Sequence, residues 1–238
     1  MKDNTSERLF INCFFLDFTG NSTRLQDTLK IVTCVVNAML VLPTILLNGL
    51  VIATIWKTPF LYSSPSNILL LCLACADFTN GLITEPLAVI HLVGEITWDA
   101  RLFCIPGAVM ESAAWFASGI SGTTVLALSF DRFLAVYMHL RYKGIVTVRR
   151  TSIFVAAIWP LFTVNIFVRF IGVNNRLFIA INVVVIFVCL VTILLIYYKI
   201  FISVNYHRKQ IQAQVIAASQ SINVSDRKST RLNSSHRL

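Results

Sequence analysis

Residues 31–56, IVTCVVNAMLVLPTILLNGLVIATIW, run for 26 positions without a charged side chain. About 20 apolar residues are enough to carry a helix across the hydrocarbon layer of a bilayer. A soluble helix would place polar residues at a 3.6-residue period to face water, and this stretch does not. Working outward, Asn67–Val93 is apolar apart from Asp77 and Glu85. Leu102–Val136 carries Glu111 near one end and then nothing charged until Asp131 and Arg132. Thr151–Val168 and Leu177–Tyr198 are uncharged over 18 and 22 positions. That makes five spans, each helical because a backbone in lipid has no water to bond.

The composition agrees. Of 238 residues, 56% are hydrophobic and 13% charged, and the mean hydropathy is +0.74. Soluble domains carry roughly a quarter charged residues, so a cytosolic enzyme, a disordered regulator and a disulfide-stapled secreted domain are all disfavoured. The net charge of +9 would suit nucleic acid in a soluble chain. In a membrane protein it reports the positive-inside rule, and no nucleic-acid partner is expected. The basic excess lies after span three (Arg141, Lys143, Arg149, Arg150) and after span five (Lys199, His207, Arg208, Lys209). The first thirty residues balance four basic against four acidic side chains. The N-terminus is therefore expected outside, with the loops after spans one, three and five inside. Asn4-Thr-Ser and Asn21-Ser-Thr in the tail are glycosylation acceptors on that side. No cleavable signal pattern opens at Met1, so span one is expected to insert as its own signal.

Ionisable groups inside a bilayer are costly and are functional candidates. Asp77 lies mid-span, as do Asn48 in span one and Ser121 in span three. Two readings stand: a hydrogen-bonded cluster joining three helices, or an ion or proton site. Asp131-Arg132-Phe133 closes span three. It reads either as a local ion pair of small energetic value or as a latch whose arginine is held in one state and released in another. A transporter or channel subunit using Asp77 and Glu111 as a coupling pair is the competing class. It would be expected to show internal repeats, and the chain shows none. No nucleophile–base constellation is present, so no enzyme is expected.

These residues, in this order, resemble the rhodopsin-like (class A) G protein-coupled receptors. Asn48-Gly-Leu-Val51 is similar to the family's N-x-x-V, and Leu73-Ala-Cys-Ala-Asp77 to L-A-x-A-D, with Pro86 following as the span-two proline. Trp98 and Cys104 resemble the first outer-loop tryptophan and the cysteine that heads span three. Ser129-Phe-Asp131-Arg132-Phe133-Leu-Ala-Val136 resembles S-x-D-R-Y-x-x-V, and His139-Leu-Arg-Tyr142 the following P-L-R-Y. Trp159 matches the span-four tryptophan, and Tyr197-x-x-Ile200 the tyrosine motif of span five. The likeness covers roughly Asn48–Ile200.

The resemblance implies an all-α membrane protein with five helices of an expected seven-helix bundle in the plasma membrane. Its partners would be a heterotrimeric G protein and a small-molecule, lipid or peptide agonist acting by population shift. Asn48, Asp77 and Ser121 would form part of a polar cluster that takes an allosteric sodium ion at Asp77. Asp131, Arg132, Phe133 and Tyr197 would form the coupling switch. Residues 1–30 would be the outer tail, 31–206 the helical domain and 207–225 the start of the third inner loop.

The chain also departs from the family. Phe133 replaces tyrosine, His139 stands at a common proline position, and Cys189 stands where span five usually has its proline. Amine receptors carry an acid at the position of Ala114. Glu111 lies nearly one turn higher, as either an amine counter-ion or a partner of Arg101, Arg169 or Arg176. Glu85 is a similar case, with an outer-loop base as its expected partner. The outer loop at 169–176 has no cysteine for the family's usual bridge to Cys104, and the expectation offered instead is pairing with Cys13. That short, cysteine-free loop resembles those of the melanocortin, cannabinoid and lysophospholipid receptors. Finally, Asp226-Arg-Lys-Ser-Thr-Arg-Leu-Asn-Ser-Ser-His236 is identical to a translated frame of a common short-read sequencing adapter. Residues 226–238 are expected to be adapter-derived and joined to an incomplete transcript. They supply +3 of the +9 charge.

Overall fold

The computed structural model describes residues 10–13, 16–19, 23–138, 141–171 and 174–235. Two short antiparallel strands, β1 (Phe10–Cys13) and β2 (Leu16–Thr19), pair with Cys13 opposite Leu16. They are the one β element among the described residues, in a chain otherwise built of helices. The first span is α1 (Arg24–Lys57). It starts on a reciprocal cap: Gln26 N–H donates to Thr23 Oγ1 at 3.4 Å, and Thr23 N–H donates to Gln26 Oε1 at 2.8 Å. A 3-10 turn at Pro59–Ser63 then leads to α2 (Pro65–Thr79), each opening on a proline that needs no donor there.

Span two continues through a π turn at Asn80–Thr84 into α3 (Glu85–Thr97). Pro86 has no N–H, and its ring crowds the carbonyl one turn earlier. The wider turn just before it accommodates both defects. Trp98 ends α3 in the left-handed region (φ 60°, ψ 28°), which reverses the chain into α4 (Ala100–Met138) within two residues. A short helix, α5 (Tyr142–Ile145), precedes α6 (Val148–Phe170), where Thr147 Oγ1 accepts from Arg150 N–H at 3.4 Å. The last helix, α7, runs unbroken over Asn175–Ser235. No Gly or Pro occurs between 175 and 235, so nothing local stops it. Residues 207–225, expected to open the third inner loop as an amphipathic extension of the fifth helix, are helical, and so is 226–235, expected to be a polar tail.

Among the described residues five helices are long and apolar enough to cross a membrane. Their packed centre lies where spans two, three and four meet. Cys72, Ala76, Ile120 and Ile158 are buried there against Phe116, Val155, Trp159 and Phe162. The outward faces are lined by exposed Leu42, Leu46 and Leu50 on α1, and by Val184, Phe187 and Leu194 on α7. Hydroxyl side chains turn back onto their own helices, as Thr124 Oγ1 does to Ile120 O at 2.7 Å. This satisfies each donor without water.

Candidate functional site: a polar cluster and an acid–base pair on span three

Three groups of polar side chains lie along α4. At mid-span, Ser121 Oγ donates to Asp77 Oδ1 at 2.9 Å, joining spans two and three. Asn48 is half-buried, but its amide donates to Thr44 O in its own helix at 2.9 Å. Two of the three expected cluster members are thus in contact, while the third amide is engaged by its own backbone. Among the described residues no group of three or more His, Cys, Asp or Glu is placed to hold a metal.

At one end of α4, Asp131 is buried (3% exposed). Its Oδ2 accepts from Ser66 Oγ at 2.8 Å, its Oδ1 accepts from the Tyr142 hydroxyl, and Arg132 Nε approaches Oδ2 at 3.7 Å. Burial, followed by the hydrogen bond to Asp131, pushes the Tyr142 hydroxyl above its ordinary range. The Arg132 side chain is 59% exposed. The acid is therefore enclosed by neutral donors while the base stands at the surface. The Phe133 ring lies 4.8 Å from that of Tyr137, and Tyr197 is exposed on α7.

Toward the other end, Arg169 Nη2 meets Glu111 Oε1 at 2.8 Å and Asn175 Oδ1 at 2.9 Å, and its guanidinium lies 5.1 Å from the Phe178 ring centre. The Arg169 side chain is wholly buried. Of the readings open for Glu111, the geometry gives it a basic structural partner on span four. Trp115 Nε1 also approaches it, at 3.5 Å. Ala114 is half-buried on the same helix. Asp77 and Glu111 are engaged by different partners, Ser121 and Arg169. Glu85 differs from expectation: it is buried and accepts from Thr44 Oγ1 on span one at 3.1 Å. The π turn rotates it toward α1, a shift that span-two spacing alone does not reveal. Cys13 and Cys104 form a disulfide with Cα atoms 5.3 Å apart, fastening the hairpin to the start of α4 beside Phe103. Asn4, Asn21 and His139 lie outside the described residues.

Residues 47–178 match the seven-transmembrane receptor (rhodopsin) family. This match covers more than half of the chain and runs from the Asn48 motif through the Asp131–Arg132 pair and into α7. The chain belongs to that family. Among similar receptors, adenosine receptor A2b of Bos taurus is 35% identical over 133 residues, covering 54% of this chain and 37% of that protein. Endothelin receptor type B of Oryctolagus cuniculus is 28% identical over 152 residues, covering 64% and 34%. The 5-hydroxytryptamine receptor 1B of Vulpes vulpes is 25% identical over 142 residues, covering 58% and 34%. The chain thus spans about a third of the length of these relatives. As a rhodopsin-family chain with five apolar helices among the described residues, it is a multi-pass membrane protein.

Family membership makes two residues outside the expected switch worth naming, Ser66 and Tyr142, because both donate to Asp131. Tyr142 stood in the recognised His139–Tyr142 motif, but nothing in the one-dimensional spacing says that it folds back eleven positions. Ser66 follows Pro65 at the opening of span two, where a serine most simply reads as a cap.

Proposed function

We propose that this chain is the ligand-facing and transducer-facing first five helices of a plasma-membrane receptor that signals through heterotrimeric G proteins, with its N-terminus outside. The observation that carries the reading is the buried Asp131 beside a largely exposed Arg132, at the end of span three next to a basic, acid-free segment (141–150). A charge held by a 3.7 Å contact, with its acid already satisfied by Ser66 and Tyr142, can leave at small cost. Released, Arg132 would meet Tyr197 and an incoming Gα C-terminus. An agonist binding the released state better shifts the population toward it. The agonist is a small molecule, lipid or peptide, with Glu111 acting as Arg169's structural partner and Ala114 lining the pocket.

Asp77 and Ser121 would hold a sodium ion in the resting state, where its charge would neutralise the carboxylate. Asn48 would have to leave Thr44 O to join them. The five helices as given are expected not to signal, because span three would lack partners on one side. The test is guanine-nucleotide exchange in cells expressing these 238 residues, beside a full-length relative as positive control. No exchange above background is expected, and agonist-driven exchange would refute that part. In a receptor completed with its remaining helices, Arg132→Ala should abolish exchange. Exchange that survives it would overturn the switch assignment.

A further inference from the structure

Span two buries a second carboxylate that the proposed switch does not use. Thr84 and Glu85, where the π turn meets α3, are each 8% exposed. Glu85 Oε1 accepts from Thr44 Oγ1 on α1 at 3.1 Å. Among the described residues, Glu85 Oε2 and Thr84 Oγ1 are buried without a hydrogen-bond partner, and Glu85 forms no ion pair. The π turn explains why the hydroxyl is left over. Earlier in span two, Thr79 Oγ1 donates to Cys75 O at 2.8 Å, the usual arrangement for a helical threonine. For Thr84 the corresponding carbonyl is Asn80 O, which accepts from Glu85 N–H. Pro86 brings no N–H, so the carbonyls of the turn have one donor fewer than a regular helix gives them. Gly81 sets this turn close against α1, where a Cβ would lie 2.8 Å from Thr44 Cγ2. Thr84 and Glu85, three and four positions on, share that face.

We infer that Glu85, Thr84 and Thr44 hold a sodium ion between spans one and two, at a site separate from Asp77. Glu85 Oε2 supplies the negative charge and Thr84 Oγ1 a neutral oxygen. Thr44 Oγ1, which already donates to Oε1, keeps its lone pairs for the ion. The occupant is a hard cation, because every atom on offer is oxygen. It is monovalent, because one carboxylate balances one charge and a divalent ion would leave an excess inside the bilayer. A buried carboxylate held by a single hydroxyl is costly, and an ion beside its second oxygen removes that cost. Asp77 stands eight residues back along span two, about 12 Å at helical rise, so one ion does not serve both acids. The two places nevertheless share Thr44. Its hydroxyl bonds to Glu85, and its carbonyl accepts from the Asn48 amide at 2.9 Å. An ion at Glu85 therefore fastens α1 to span two at the turn that holds Asn48.

The inference is independent of G protein coupling and of sidedness. Its test is the thermal midpoint of the purified chain in detergent, measured in sodium chloride and in N-methyl-D-glucamine chloride of equal concentration. The measurement is made in an Asp77→Asn background, so that an ion at Asp77 supplies none of the response and the two assignments stand or fall separately. Sodium at about tenfold above its dissociation constant should raise the midpoint by about 3–6 °C. Glu85→Gln, which keeps the shape of the side chain, should lose that rise. Thr84→Val, which removes one oxygen, should need several-fold more sodium to reach it. Each variant is compared with itself in the two salts, so a packing defect that lowers both midpoints alike does not register. No sodium-dependent rise in the Asp77→Asn chain overturns the site. So does an equal rise in Glu85→Gln, or a sodium dependence untouched by Thr84→Val.

Discussion

At the scale of single residues, the Glu111–Arg169 contact has the largest expected effect. A guanidinium with no exposed side-chain surface, 2.8 Å from its acid, loses its closest acidic partner when that acid is replaced. Glu111→Gln should lower stability by about 3 kcal/mol, read as a fall in thermal midpoint in detergent. Adding Arg169→Met should recover most of the loss, because an apolar pair of similar volume has no charge to desolvate. If the double variant melts no higher than the single one, the pair is not what holds spans three and four together there. Tyr142 is the milder case. Tyr142→Phe removes one donor from a carboxylate that keeps Ser66, and should cost about 1 kcal/mol. Because its folded value is raised above 10.0, the neutral hydroxyl is the favoured form. Its contribution is complete below its ordinary value and fades as pH climbs through the raised one. An alkaline loss of stability present in the parent and absent in Tyr142→Phe is the expected signature. Asp77, Ser121, Asp131 and Arg132 could all be picked out of the chain because intramembrane polarity is rare. Ser66 and Tyr142, the partners of Asp131, were harder to see, since what joins them to it is a contact across elements and not a residue type.

At the scale of elements, the spans were legible because a 26-residue uncharged run has few alternatives. Their interruptions were less so. The π turn at Asn80–Thr84 depends on how Pro86 is relieved, and it carries Glu85 to Thr44 instead of to a loop. The turn between α3 and α4 brings backbones together so closely that a Cβ on Gly94 would lie 2.6 Å from Leu102 C and Phe103 N. Gly94→Ala should therefore destabilise the joined ends of α3 and α4 by about 1–3 kcal/mol. Gly122→Ala, where a Cβ meets nothing within 4 Å, is the control in the same measurement and should be close to neutral. The hairpin is the element least visible in advance. Four-residue strands with a two-residue connection offer little periodicity, and they are held to α4 by Cys13–Cys104. Mass spectrometry of non-reduced peptides should find that link, and a free Cys104 thiol would contradict it.

At the scale of the whole molecule, composition and span count led to the membrane, and the order of motifs led to the family that residues 47–178 match. At the centre of packing, the small Cys72 and Ala76 of span two let Ile120 of span three and Ile158 of span four pack closely against them. The outward aliphatic faces of α1 and α7 follow from a solvent as apolar as they are. The central claim is a sided one: a neutral tail outside, and the Asp131–Arg132 end with its basic segment inside. Glycosylation mapping of the 238-residue chain in a membrane-inserting expression system tests it directly. Glycosidase treatment should reduce the mass of the parent through Asn4 or Asn21, and an acceptor sequon introduced at 143–145 should add no glycan. An unglycosylated tail together with a glycosylated 143–145 sequon would contradict the account.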